Sequence, residues 1–316
     1  MRPIKLIEVR SEIAAGTRGA SLGVDALKIA SLDKKSNFFA EFEPIALKDE
    51  NDLLFEENRF PHAKHIDGVY TMLKRVRDCV VKVRSAGVFP IILAGDHSTA
   101  AGTIFGLKKA HPQSRIGVIW IDAHADIHSP FTTPSGNMHG MPLAMVCGID
   151  NLEHQKNQPI PETLKYWKKI KELAGTEPAI LAQDIVYMSV RSLEGPEQFL
   201  IEKYGIKNFT THDINYLGIP KVSKMALEVL KDCDHIYISF DVDSLDENIS
   251  HGTGTPEPNG LSVYQAIELN QELIKDKRVC CWEIVEVNPT FDRENVTAEA
   301  GFDILEATTK SLVAHF

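Results

Sequence analysis

The sequence of 316 residues has no apolar run approaching the roughly 20 residues that a membrane-spanning helix needs. Its five cysteines, Cys79, Cys147, Cys233, Cys280 and Cys281, form no C-x-x-C pair. An odd count without paired spacing argues against a disulfide scaffold, a zinc–thiolate site or a thiolate nucleophile, and for reduced, buried thiols. With an N-terminus that turns charged within MRPIKLIEVRSE, this predicts a cytoplasmic protein with no membrane partner. Excess positive charge is missing too. The 34 Lys and Arg stand against 44 Asp and Glu, a net charge of −10, which argues against nucleic acid as a partner. The glycines of the loop Gly16–Gly23 lack the G-x-G-x-x-G spacing of a dinucleotide site. No repeat, low-complexity stretch or linker-like composition break occurs, so residues 1–316 read as one domain.

What is present centres on Ile116–Asp126, IGVIWIDAHAD. The run Ile116–Ile121 is almost wholly β-branched or aromatic, as in a strand buried on both faces of a parallel sheet. Three metal-type ligands follow it: Asp122, His124 and Asp126. In an extended chain, residues i, i+2 and i+4 share a face, so strand geometry continued past Ile121 would aim all three into one space.

Other segments repeat the pattern of apolar strand and polar end. Phe89–Ala94 leads to Gly95-Asp96-His97-Ser98, and His235–Phe240 leads to Asp241-Val242-Asp243. Further strands are expected at Ile4–Val9, Glu41–Ala46, Ile185–Val190, Ile206–Thr210 and Val279–Val287. Helices are expected near Val24–Ser31, Thr99–Ala110, Glu162–Leu173, Ser262–Ile274 and Asn295–Ala314. Ile66–Gly87 carries Val69, Leu73, Val76, Val80 and Val83 on one helical stripe. About eight strands alternating with helices define an α/β protein with a parallel sheet and right-handed crossovers. Asn51–His65, with His62 and His65, reads as a long surface excursion.

Ligands of open α/β sheets gather outside the carboxyl ends of the strands. If the strands ending at Ala94, Ile121 and Phe240 are neighbours, four aspartates and two histidines converge. That much like charge cannot be buried without cations. The set suits two ions with shared carboxylates better than one. Oxygen and imidazole ligands without thiolate favour Mn²⁺, with Co²⁺, Fe²⁺ or Zn²⁺ as alternatives.

The motifs AGDHS (94–98), DAHAD (122–126), SGNMHG (135–140), SFDVD (239–243) and EVNP (286–289) resemble those of the ureohydrolases, most closely the arginase branch. The resemblance implies a three-layer α/β/α sandwich with a parallel sheet of about eight strands, holding two Mn²⁺ per chain. It implies that His97 and Asp126 bind one ion and His124 and Asp243 the other, with Asp122 and Asp241 bridging. The activity implied is hydrolysis of L-arginine to L-ornithine and urea by a hydroxide held between the ions, in a homo-oligomeric enzyme. Asp126 would orient that hydroxide, His139 would shuttle the proton to the leaving amine, and Glu286 would hold the guanidinium.

For the substrate's amino-acid end, Thr133, Ser135 and Asn137 match readers of the α-carboxylate. His128 stands where the animal enzymes have Asn, and its charge is expected to vary with pH. Glu194 stands where an Asp usually reads the amino group, and Glu197 matches a further acidic position. Thr255, in TGTPEPNG, matches a residue that supports Glu286. Agmatine, guanidinobutyrate or formimidoylglutamate are the alternative substrates of sister enzymes, and a non-catalytic metal-binding homologue is the reading from another class. The single-zinc histone-deacetylase relatives fit the ligand set less well.

Overall fold

Eight short strands pair into one sheet in the computed structural model, which describes residues 3–175 and 178–315. They are β1 (Ile4–Val9), β2 (Ile45–Ala46), β3 (Phe89–Ala94), β4 (Ile116–Ile121), β5 (Ile185–Met188), β6 (Lys207–Phe209), β7 (His235–Asp241) and β8 (Val279–Val285). Every pairing is parallel, in the order β2-β1-β3-β8-β7-β4-β5-β6. Helices cover both faces. Helices α1 (Gly23–Asp33), α2 (Phe38–Glu41), α8 (Thr211–Leu217), α9 (Ile219–Val229), α10 (Val263–Leu273) and α11 (Val296–His315) pack on one side. Helices α3 (Ile66–Ser85), α4 (Ala100–Ala110), α5 (Pro142–Cys147) and α6 (Pro161–Lys171) pack on the other. Helix α7 (Gly195–Tyr204) follows β5. The result is the expected α/β/α sandwich.

The central strands β3, β4 and β8 are buried along their whole length, which is why β3 and β4 read as unbroken apolar runs and β8 as one interrupted only by Glu283. The α3 stripe is likewise buried at every position expected. It meets α4 at close range. A Cβ on Gly102 would lie 2.9 Å from the Cβ of Val76, and one on Gly106 would lie 2.6 Å from that of Val80. The two glycines let the backbones approach, and this contact fixes α4 and the His97 turn that precedes it.

One part differs from expectation. Glu41–Ala46 pairs only through Ile45 and Ala46. The residues before it form the single turn α2, whose Phe38 ring meets Phe302 edge to face at 5.8 Å. Pro44 lacks the N–H a longer strand would use. Residues 211–229, for which the sequence alone names no element, hold two helices separated at Gly218 (φ 80°). Among the described residues, no helix is long and apolar enough to cross a membrane. Of the five cysteines, all but Cys79 are buried.

The strand order is what builds the site. β8 lies between β3 and β7, and β4 lies beyond β7. The ends carrying His97, Glu286, Asp241 with Asp243, and Asp122 with His124 and Asp126 therefore stand side by side.

Candidate active site

At these strand ends, His97 Nδ1 faces three carboxylate oxygens: Asp122 Oδ2, Asp126 Oδ2 and Asp241 Oδ2, each at 3.1 Å. His124 Nδ1 lies 2.9 Å from Asp243 Oδ2 and 3.6 Å from Asp122 Oδ1. Two clusters thus have cation-binding geometry, His97–Asp122–Asp241 and Asp122–His124–Asp243, and Asp122 belongs to both. Asp241 gives its other oxygen, Oδ1, to the N–H of Asp243 at 2.8 Å.

The donor set fits divalent ions. His97 Nδ1 and Asp122 Oδ2 are buried and make no proper hydrogen bond, yet both point into the shared space. Protons compete for the same positions. Burial opposes charge on His97, but the carboxylates of Asp122, Asp126 and Asp241, each 3.1 Å from Nδ1, hold its pKa well above the usual imidazole value. His124 is raised in the same way by Asp243 and Asp122, against its own desolvation. Burial and the neighbouring charges of Asp243 and Asp122 push Asp241 far up.

The candidate ligands converge through turns rather than by continued strand pleating. The strand stops at Ile121, and His124 N–H bonds back to Asp122 Oδ1 at 2.6 Å. Asp126 adopts a left-handed φ of 48°. After β7, Val242–Ser244 forms a 3₁₀ turn. Glu286, just past β8, also has a positive φ of 63°. Left-handed backbone at non-glycine residues is uncommon and gathers at functional sites.

Behind His97, two residues carried no sequence assignment. Ser239 Oγ lies 2.8 Å from His97 Nε2, which directs the other ring nitrogen to the carboxylates. Trp120 stacks flat on the ring at 4.0 Å. The signal for Ser239 was its polarity inside the apolar strand HIYISFD. Arg191 carries no motif signal. Its guanidinium donates to the backbone oxygens of Asp243 and Glu257 at 2.9 Å and of Pro258 at 2.8 Å. It staples the loop 253–260 to the end of β7.

Glu286 Oε1 accepts from the His97 N–H at 2.9 Å and from His139 Nδ1 at 3.2 Å. Both bonds fall on one oxygen. Burial opposes the charge on each partner, but the pairing prevails. It raises His139 to about 9 and holds Glu286 below its usual value.

A cavity of about 290 Å³ brings all the expected site residues together. That is the size of a small-molecule site. Thr133 Oγ1 accepts Gly136 N–H at 2.9 Å, and Ser135 Oγ accepts Asn137 N–H at 3.2 Å, so both hydroxyls also shape their loop. Glu194 caps α7, and its N–H donates to Glu197 Oε2 at 3.1 Å. Glu197 is buried, and desolvation lifts its carboxyl to about 7.

Two expectations are corrected. Thr255 does not support Glu286. Its hydroxyl donates to Asp243 Oδ2 at 3.2 Å, because the loop stapled by Arg191 lies over β7. His128 does not titrate near neutrality either, since burial and then the charge of Lys156 push it down to about 4. Its Nδ1 lies 3.0 Å from Thr132 Oγ1, a hydroxyl already accepting Ser129 N–H at 3.1 Å. Donation by that hydroxyl to Nδ1 leaves the ring proton on Nε2, which lies 3.6 Å from Glu197 and 3.8 Å from Glu194.

Fold and site together define an α/β protein with two candidate metal-ligand clusters at the carboxyl ends of its parallel strands. The chain belongs to the arginase family, whose sequence profile it matches over residues 3–309. It is 32% identical to an arginase of Brevibacillus brevis over 310 residues, 96% of each chain. Among solved structures, it is similar to the arginase of Bacillus caldovelox, at 30% identity and a TM-score of 0.81, with 98% of both chains covered. It also matches the arginase of Entamoeba histolytica solved with L-ornithine, at 27% identity and a TM-score of 0.82, covering 98% of this chain and 99% of that one.

Proposed function

We propose that the protein hydrolyses the guanidinium group of L-arginine to L-ornithine and urea. The observation that carries this reading is the meeting of both ligand clusters with Glu286 and His139 in one cavity. His97 and Asp126 would hold one ion, His124 and Asp243 the other, with Asp122 and Asp241 between them. Two divalent ions there, Mn²⁺ by donor chemistry with Co²⁺ as the alternative, lower the pKa of water enough to supply a nucleophile near neutral pH.

The protein's own residues do the rest. The substrate guanidinium pairs with the Glu286 carboxylate, which fixes its carbon in the cavity. Asp126, whose Oδ2 faces His97, would orient the attacking water by accepting a hydrogen bond from it. The water oxygen bonds to the guanidinium carbon, and the bond from that carbon to the ornithine nitrogen breaks. His139 supplies the proton that the leaving amine needs. Its contact with Glu286 keeps it protonated at neutral pH. Glu194 and Glu197 face the substrate's amino group, and Thr133, Ser135, Asn137 and the Nε2–H of His128 face its carboxylate. On the same reading, residues 1–316 form one catalytic domain of a cytoplasmic homo-oligomer.

The test is a substrate panel after loading with Mn²⁺ and, separately, Co²⁺. Urea is expected from L-arginine and not from agmatine, guanidinobutyrate or formimidoylglutamate. Product from another of these alone would keep the chemistry and overturn the substrate. No product from any, with two ions tightly bound, would support the non-catalytic reading.

His139→Asn is expected to lower kcat by about 100-fold or more while both ions stay bound. The acid form of His139 is needed, so the wild-type rate falls as pH rises through about 9. The variant's profile should lack that descending limb, and unchanged turnover would remove His139 from proton transfer. Glu194→Ala is expected to raise KM for arginine while leaving inhibition by a guanidine without an α-amino group unchanged. Equal weakening of both would mean that the amino group is read elsewhere.

A further inference from the structure

The cavity holds an electrostatic mismatch. Seven carboxylates line it, and no lysine or arginine does among the described residues. The guanidinium and ammonium of an amino-acid substrate suit such a lining, but its carboxylate does not. A cation near that end would correct the mismatch, and one sits in the excursion 51–65.

Lys64 Nζ donates to Asn137 Oδ1 at 2.9 Å. Lysine has only donors, so the amide must turn its oxygen to Lys64 and its NH₂ away. That NH₂ lies against Gly16, where an added Cβ would come within 2.6 Å of Nδ2. The side chain of Asn137 is thus fixed from both ends. The backbones are also joined, since Lys64 N–H donates to Gly136 O at 2.8 Å. Gly136, at φ 78°, packs so closely on Pro61 that a Cβ would fall 2.0 Å from its carbonyl oxygen. Two other cations lie nearby without making this contact. Lys156 acts on His128, and Arg18 is tied to the carbonyl oxygens of Glu12 and Ala15.

We propose that Lys64 is a positioning residue for substrate specificity, which holds the Asn137 amide as a donor and biases the cavity toward guanidines that also carry a carboxylate. The inference rests on the hydrolase reading of this cavity and assigns a task to a segment that reads as inert surface.

The experiment compares wild type with Lys64→Met, Lys64→Gln and Lys64→Arg, all loaded with Mn²⁺. The two uncharged variants are expected to raise KM for L-arginine about tenfold with kcat within about twofold, on the scale of one charge-assisted contact. Competitive inhibition by agmatine, which has no carboxylate, should not change, and Lys64→Arg should restore most of the loss. Equal weakening of arginine and agmatine, or no weakening of arginine, would overturn the proposal. Wild type that makes no urea from arginine would overturn the hydrolase reading instead. Calorimetry with L-ornithine and 1,4-diaminobutane then decides the role of Lys64. A preference for ornithine that is lost in Lys64→Met supports it, and no preference, or one that the substitution leaves intact, refutes it.

Discussion

Replacing Asp122 with alanine is expected to leave a folded protein that retains neither ion and produces urea at least about 1,000-fold more slowly, since ion-assisted attack is removed outright. Asp122 is the only residue common to both ligand clusters. Its Oδ2 faces His97 and its Oδ1 faces His124. By contrast, His124→Asn removes a ligand of one cluster and should leave about one ion per chain. Elemental analysis after dialysis reads both numbers. The unfolding temperature gives a second readout, because ligands that bind only the folded state stabilise it. At a hundredfold excess of ion over its Kd this amounts to about 2.7 kcal/mol, and the rise should vanish in Asp122→Ala. The protonation of the cluster adds a third. His97, His124 and Asp241 all hold protons more tightly than usual, so ions must displace them. Binding should release protons and tighten as pH rises, which calorimetry in buffers of different ionisation enthalpy measures. Two ions held at wild-type affinity by Asp122→Ala would refute the shared-ligand assignment.

Much of this site could be read in the sequence because a buried parallel strand leaves a plain signature. β3 and β4 are apolar runs with polar ends, β8 is such a run interrupted by Glu283, and each brings residues to the site. The candidate ligands were legible, but their convergence does not come from the strand pleat. Strand pleating predicts that Asp122, His124 and Asp126 share a face. The chain in fact leaves the strand at Ile121 and collects them by a turn with Asp126 in left-handed conformation. The residues that escaped are those whose meaning depends on contacts distant in sequence. Thr255 serves Asp243 rather than Glu286 because Arg191 fixes its loop from another strand end. Lys64 reads as a surface lysine until the excursion is seen to meet the loop that follows β4. His128 reads as a pH-sensitive imidazole until its burial is known.

Glu286→Gln is expected to lower kcat/KM for arginine by about 100- to 10,000-fold, the scale of one or two charge-assisted hydrogen bonds of about 1.5–3 kcal/mol each. Glutamine keeps the shape of the side chain, and its amide oxygen can still accept the His97 N–H. Both ions should therefore remain bound. What disappears is the negative charge that faces the guanidinium. The same charge sustains His139, so the substitution has a second, separable effect. Desolvation lowers the pKa of His139, and the bond to Glu286 with its charge outweighs that and brings it to about 9. Without the charge, desolvation prevails over the loss, and the descending limb of the pH–rate profile should move well below 9. Stability should change with the same sign. A raised histidine pKa stabilises the fold fully below its unfolded value of about 6.5, and that contribution is lost as pH rises through about 9. The variant should thus be less stable than wild type near neutrality, and this histidine's share of the difference should fade above that pH. Near-normal kcat/KM with the limb still at about 9 would mean that Glu286 neither holds the substrate nor tunes the proton donor. Loss of turnover with an unmoved limb would keep the first role and refute the second.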